Sequence, residues 1–257
     1  MGCGGEYIIY NGELLNEQPS TQVYVYQDIH TLGHKPRHTA RHLHLIDYAA
    51  DKLFGLHCRI SIKELEQQIT TLLDSNHTTR NTSVCVRLQL YASGDYSLQQ
   101  HEVSIYTGYV MRSLRHEATF IASHAPLGKF PTSAMIATRE LMRQVAHARD
   151  LHSLILTSPD GEIIADAAEP LMAIKNRTLY VPKLAKPSAE QQAIERSAAR
   201  LGLTIEHVTL NVEQVKSADE VFTANWQGLT SMAHINHRPY MSILTEQLAQ
   251  EMENEHK

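Results

Sequence analysis

The 257 residues carry 23 lysines and arginines against 28 aspartates and glutamates, a net charge of −5, which excludes the basic balance of a general nucleic-acid binder. A hydrophobic content of 42% with 20% charged residues is that of a globular chain able to bury a core in one large domain or two small ones. No apolar run approaches the roughly 18 residues of a membrane span, and no leader pattern opens the chain, so the expectation is a cytoplasmic protein that contacts no membrane.

Cys3, Cys58 and Cys85 are odd in number and far apart, which predicts reduced thiols rather than a disulfide framework or a paired-cysteine metal site. Met1-Gly2-Cys3 begins like a myristoylation signal, but Glu6 stands where serine or threonine is required. Three glycosylation sequons, at Asn76, Asn81 and Asn176, have no meaning without secretion.

In chain order, Tyr7 to Tyr10 reads as a strand ending at the Asn11-Gly12 turn. Gln22 to Ile29 is a second strand, and His30 to His38 is turn-like. Thr39 opens a helix that runs through His42, Ile46, Ala49, Ala50 and Leu53 and stops at Gly55. Ser61 to Leu73 places Leu65, Ile69, Leu72 and Leu73 at helical spacing. After a polar loop over 75–83, Val84 to Tyr91 and Glu102 to Val110 read as strands around Gly94-Asp95. Ala125 to Pro131, with two prolines and a glycine, is the best linker candidate. A helix over 133–149 follows.

The stretch from Asp150 to Pro182 reads as strand, turn, strand, break, strand, turn, strand, with Pro159-Asp160-Gly161 as the first turn and Ala165 to Pro170 as the break. Such a break can present loop groups into a cleft, so it is the first candidate for a catalytic edge. Ser188 to Gln191 has the form of a helix cap, and Gly202 ends that helix. Thr204 to Leu210 is a strand, Val212 to Lys216 a short helix, Glu220 to Thr223 a strand, and Ser242 begins the last helix. The class is mixed α/β. A small α/β domain is expected over 1–115, a linker over 116–132 and a larger α/β domain over 133–257.

Sixteen histidines are present, and His30, His34, His38 and His42 recur every four residues, with His44 beyond. On one helix these would share a face able to bind metal. Gly33 and Pro36 break any such helix, so hydrogen-bonded or solvated histidines are the expectation and a metal protein is a third-ranked reading.

The order of elements is similar to that of the class IV, fold-type IV pyridoxal-phosphate enzymes, which include branched-chain and D-amino-acid aminotransferases and aminodeoxychorismate lyase. The residues that carry the resemblance are Ser153-Leu-Ile-Leu with Asp160-Gly161-Glu-Ile-Ile, Leu171-Met172, Leu179-Tyr180-Val181-Pro182 and, above all, Ala218-Asp219-Glu220-Val221-Phe222-Thr223-Ala224-Asn225 followed by Gly228-Leu229. The first half agrees weakly, through Asn11-Gly12-Glu13-Leu14 and His42 at the head of a helix. The resemblance implies a two-domain homodimer with the cofactor between a small and a larger domain. It also implies cations and backbone donors for the phosphate, a carboxylate for the ring nitrogen and a lysine for a Schiff base.

Carried over residue by residue, these needs meet replacements. The phosphate arginine of the first helix falls on Leu45, which cannot pair with a phosphate. The phosphate-capping turn falls on Ser188-Ala189-Glu190-Gln191, where Glu190 brings a like charge. After the Glu220 strand the phosphate would meet Asn225 and the sole tryptophan, Trp226, which either fills the pocket or stacks on a planar ligand. The ring-nitrogen carboxylate falls on Ala165 and its neighbouring asparagine on Pro170. Asp166 and Glu169 are close by, and a one-residue bulge would bring Asp166 into place. The Schiff-base lysine falls on Pro131, with Lys129 two residues earlier. Tyr91 to Gly94 occupies the place of the substrate-carboxylate arginine, and Arg87 lies upstream.

Two readings follow from the resemblance. The first is a divergent member degenerate for standard transamination, which keeps the interdomain cleft for a small-molecule ligand or keeps only a dimer surface, with pyridoxal phosphate weakly bound or absent. The alternative is an active pyridoxal-phosphate transaminase or lyase, with Lys129 as catalytic lysine, Asp166, Asn225 and Trp226 at the cofactor and Arg87 at the substrate.

Overall fold

A computed structural model describes residues 6–16, 23–112, 117–123 and 129–256. The Met1-Gly2-Cys3 start and most of the Ala125 to Pro131 linker candidate lie outside the described residues. The chain divides into two compact units, one of residues 1–108 with 131–133, the other of 109–130 with 134–257.

Unit 1 contains β1 (Ile8–Tyr10), β2 (Glu13–Leu15), β3 (Tyr24–Leu32), β4 (Lys35–Pro36), α1 (Thr39–Phe54), α2 (Ile62–Ser75), β5 (Ser83–Tyr91) and β6 (Tyr96–Val103). The strands form one antiparallel sheet in the order β2-β1-β6-β5-β3-β4. Period-two alternation splits β5 into two faces. Val84, Val86, Leu88 and Leu90 join Val25, Ile29 and Leu98 on an apolar face. The helices cover that face, as the His42–Gln27 and Gln68–Tyr96 hydrogen bonds from α1 and α2 establish. Leu45, Ile46, Leu65, Ile69, Leu72 and Leu73 are buried there, each contributing about 1.5–3 kcal/mol of transfer free energy. The other face is polar and aromatic, with Tyr26 and Asp28 opposite Gln89 and Arg87.

The helix boundaries follow local chemistry. Gly55 ends α1 with φ 67°, and Ser61 and Glu64 form a reciprocal capping box on α2. β3 extends through His30 to Leu32, past the end expected from sequence. The second strand after Gly94 comes earlier than expected, at Tyr96.

Unit 2 contains β7 (Val110–Arg112), β8 (Glu117–Ala122), α3 (Ser133–His147), β9 (Ser153–Thr157), β10 (Leu171–Lys175), β11 (Thr178–Pro182), α4 (Ala189–Arg200), β12 (Thr204–Val208), α5 (Val212–Ser217), β13 (Glu220–Asn225), β14 (Gly228–Ser231), β15 (His234–Ile235), β16 (Arg238–Pro239) and α6 (Ile243–Asn254). One sheet has the order β12-β11-β10-β13-β14-β7, the other β16-β15-β8-β9. The apolar run Leu171 to Ile174 is buried on both faces. Met172 and Ile174 join Phe222, Leu229, Ile194 and Leu248 in the core with α4 and α6. Leu171 and Ala173 join Ile155, Val221, Met232 and Ile235 in the core with the second sheet.

The break over 165–170 is therefore the crossing from one sheet to the other: β9 lies in the four-stranded sheet and β10 in the six-stranded one. The expected hairpin after Asp160-Gly161 reduces to an isolated bridge, Thr157 to Ile163, and two bonds, from Ser158 N–H to the Glu162 carbonyl at 2.8 Å and from Ile164 N–H to the Leu156 carbonyl at 2.9 Å. The second hairpin is intact. Asn176 and Arg177 both take left-handed backbone, φ 47° and 63°, as a two-residue turn between twisted strands requires. The stretch 116–132, read as a linker, carries β8, which pairs in parallel with β9 and β15.

The histidine segment splits: His38 lies beside His42, while His34 makes its contacts elsewhere. His34 turns its ring nitrogens to Asp74 Oδ1 at 2.8 Å and the Thr78 carbonyl oxygen at 2.9 Å. His42 turns inward to Gln27, and His44 is exposed. Among the described residues no group of three or more His, Cys, Asp or Glu side chains is placed to hold a metal ion, and no helix is long and apolar enough to cross a membrane.

Candidate functional site

A continuous polar network ties α3, the sheet crossing, β13, β14 and β7 together within unit 2. It starts on α3, where Met135, Arg139, Met142 and Ala146 recur on one side of the helix. Met135 and Ala146 are buried. An arginine in such a row needs a carboxylate partner. Arg139 finds it in Asp166, with Nε donating to Oδ2 and Nη2 to Oδ1, both at 2.6 Å. This is the two-pronged geometry that a planar guanidinium allows. Asp166 Oδ1 also accepts the amides of Ala168 at 2.9 Å and Glu169 at 3.3 Å, which fixes the crossing as a tight turn.

Glu169 continues the chain. Its Oε1 accepts from Asn225 Nδ2 at 3.1 Å. Desolvation raises the Glu169 carboxyl above its ordinary range, and the neighbouring Asp166 charge adds to this, while Arg139, the Asn225 bond and Arg112 oppose it. Asn225 Oδ1 in turn accepts from Arg112 Nη2 at 3.3 Å and from the Gln227 amide at 3.0 Å. Arg112 Nη2 also donates to Thr230 Oγ1 at 2.6 Å, and Nη1 donates to Gln227 Oε1. Two guanidinium groups thus face two carboxyl groups through an amide, and every bond named closes on the chain itself.

The residues singled out from sequence are spread over both units. Asp166 and Asn225 belong to this network. Trp226 lies in the two-residue turn between β13 and β14 and is 5% exposed. Lys129 stands on an exposed turn of unit 2. Arg87 lies in unit 1, where Nε and Nη2 donate to Asp28 at 2.7 and 2.8 Å and the guanidinium lies 4.6 Å from the Tyr26 ring centre. Burial opposes its charge, but the Asp28 carboxylate outweighs burial and the net shift is upward. Sequence reading misses Arg112, Arg139, Gln227 and Thr230. Arg139 carried a signal, a cation in line with buried Met135. Arg112, on a three-residue strand, carried none.

The groups present do not fit a pyridoxal-phosphate site of the kind the resemblance implies. Leu45 is a buried core residue of α1. Pro131 has no amine, and its carbonyl accepts the Tyr26 amide at 3.0 Å. Ala165 has no carboxylate, and the adjacent Asp166 is held by Arg139. Glu190 is buried in the first turn of α4, where a phosphate would meet a carboxyl group. A cleft of about 570 Å³ on unit 1, lined by Lys35, Arg80 and Asn81 among others, includes none of the residues chosen from sequence.

The backbone matches solved aminotransferases over nearly its whole length. A branched-chain aminotransferase from Thermoproteus uzoniensis superposes with a TM-score of 0.78 at 14% identity, over 96% of this chain and 93% of that one. The branched-chain aminotransferase of Escherichia coli gives 0.75 at 18% identity, over 96% and 92%. A Legionella pneumophila protein described as a 4-amino-4-deoxychorismate lyase gives 0.70 at 13% identity, over 88% of both chains. No curated protein sequence matches. Residues 25–235 match the family described as amino-transferase class IV: the chain belongs to the class IV aminotransferases.

Proposed function

We propose that this class IV member no longer carries out standard transamination and keeps the aminotransferase fold as a binding and assembly scaffold for a small-molecule ligand. The observation that carries this reading is the Arg139–Asp166 pair, with both guanidinium bonds at 2.6 Å. It engages the carboxylate nearest to the ring-nitrogen position, on a chain whose lysine position is Pro131. A transaminase needs that carboxylate to keep the ring protonated and that lysine to hold the aldehyde, and each need has lost its own residue. One solved branched-chain aminotransferase with this fold holds pyridoxamine 5′-phosphate, so that ligand class is the one to test.

The test is the visible spectrum of the purified protein with pyridoxal phosphate. A spectrum unchanged from that of the free aldehyde, and the same for Lys129→Ala, is expected. A new band in the internal-aldimine region that disappears in Lys129→Ala would instead establish the active-enzyme reading. The scaffold is a homodimer in this proposal. Its support is α3, on which only Met135 and Ala146 are buried while Leu141 is 55% exposed. Light scattering at the mass of a single chain would remove that part.

A further inference from the structure

Asp166 is engaged from two sides. The Arg139 fork takes both oxygens, and the amides of Ala168 and Glu169 take Oδ1 from within the turn. A protonated pyridine nitrogen recognises a carboxylate through the same elements as one arm of a guanidinium, a positive charge and an in-plane N–H. It offers one donor where arginine offers two. Arg139 is also tethered, so its capture of Asp166 costs none of the translational freedom that a free ligand must surrender.

Displacing Arg139 carries a second cost. Its side chain is 25% exposed and that of Asp166 22%. It projects from the helix side that holds buried Met135 and Ala146. A ligand that took Asp166 would have to break a two-bond ion pair whose guanidinium is only 25% exposed, and breaking a shielded pair of that kind is strongly unfavourable.

We propose that Arg139 is a built-in competitor for Asp166, a specificity-determining residue that closes this carboxylate to ligands with a cationic ring nitrogen. The inference rests on the reading of the chain as a non-transaminating member, and deepens it by naming the residue that keeps the ring out. It predicts that removing the guanidinium, with no other change, opens the carboxylate to a pyridine ring.

The probe is 4′-deoxypyridoxine, which has the ring but neither the aldehyde nor the phosphate, so no lysine can capture it covalently and the misfit of the phosphate positions does not enter the test. It is titrated into the full-length wild type, Arg139→Met, Arg139→Gln and Arg139→Met/Asp166→Asn. The signals are the fluorescence of Trp226, the sole tryptophan, and calorimetric heat, with circular dichroism to confirm folding. The expected result is no saturation of the wild type at millimolar ligand, binding at least about tenfold tighter in both single variants, and loss of that gain in the double variant. Binding that is no tighter in either single variant overturns the proposal, as does a gain that survives Asp166→Asn. A Lys129-dependent aldimine band in the wild type would sink the broader reading whatever the deoxy analogue does, so the two failures are distinguishable.

Discussion

Glu220 of β13 caps α6 through Thr245: one carboxylate oxygen accepts both the amide and the hydroxyl of Thr245, at 2.8 and 2.7 Å, and the other accepts the Leu244 amide at 2.9 Å. The acid that stands out in the Ala218 to Asn225 motif is thus spent on a helix start, where a negative charge meets free N–H groups and the positive end of the dipole. Glu220→Ala leaves buried amides without an acceptor and is expected to cost about 3 kcal/mol. Glu220→Gln, which keeps one acceptor oxygen, should cost roughly half of that. Urea denaturation of the two variants checks both the size and the order.

Gly228 passes the Val110 backbone too closely for any side chain. At φ 117° an added Cβ would lie 2.7 Å from Val110 N and closer still to its carbonyl oxygen. Gly228→Ala must therefore push β14 from β7, the strand that carries Arg112, and the expected cost exceeds about 3 kcal/mol. Gly161, at φ 81° with nothing within 4 Å of an added Cβ, is the control. Gly161→Ala should cost only about 1 kcal/mol. Thermal melts that place the two variants at equal stability would contradict the close approach.

Arg87 and Asp28 form a shielded pair, with side chains 9% and 21% exposed. Removing one partner leaves a desolvated charge, so Arg87→Met is expected to lose about 3–5 kcal/mol. The Arg87→Met/Asp28→Asn double variant should recover part of that loss. A double-mutant cycle read by denaturant melts gives the coupling. Additive losses would mean that the pair contributes nothing specific.

His42 is buried, and desolvation first, then the neighbouring His38 and Arg41 charges, lowers its pKa from 6.5 to about 3. The folded state holds it neutral while the unfolded chain protonates near 6.5. Its contribution to stability is therefore complete above pH 6.5 and is lost as the pH falls toward 3, at up to about 1.4 kcal/mol per pH unit. Comparing wild type with His42→Gln in urea melts at several pH values between 3 and 7 should flatten the acid limb. An unchanged slope would place the proton elsewhere.

The fold was legible where periodicity and turn chemistry act locally. The row Leu65, Ile69, Leu72, Leu73 marks α2, and Ser188 marks the start of α4, where its hydroxyl accepts the Gln191 amide at 3.0 Å. Pairing was less legible, because an apolar run states that a strand is buried without naming its neighbour. Leu154 to Leu156 and Leu171 to Ile174 look like strands of one hairpin system in sequence and lie in different sheets. β7, β15 and β16 have two or three residues each and no period to detect. The polar network was half visible. Asp166 and Asn225 could be placed by resemblance. Their partners Arg139 and Arg112 lie 27 and 113 residues away, and no local rule selects a partner at that distance.

Pro131 to Ser133 group with unit 1, although the residues on either side of them, 109–130 and 134–257, group with unit 2. These three residues complete the β3 edge, where the Tyr26 amide donates to the Pro131 carbonyl and Val25 bridges Thr132. The backbone consequently crosses from one unit to the other three times, after residues 108, 130 and 133. No single cut separates the halves. A fragment that stops at residue 115 would lack the segment that pairs with its own third strand, and one that starts at 133 would lack β7 and β8. Genetic dissection of this protein needs a spliced design that carries 131–133 with the first unit and bridges 130 to 134 in the second.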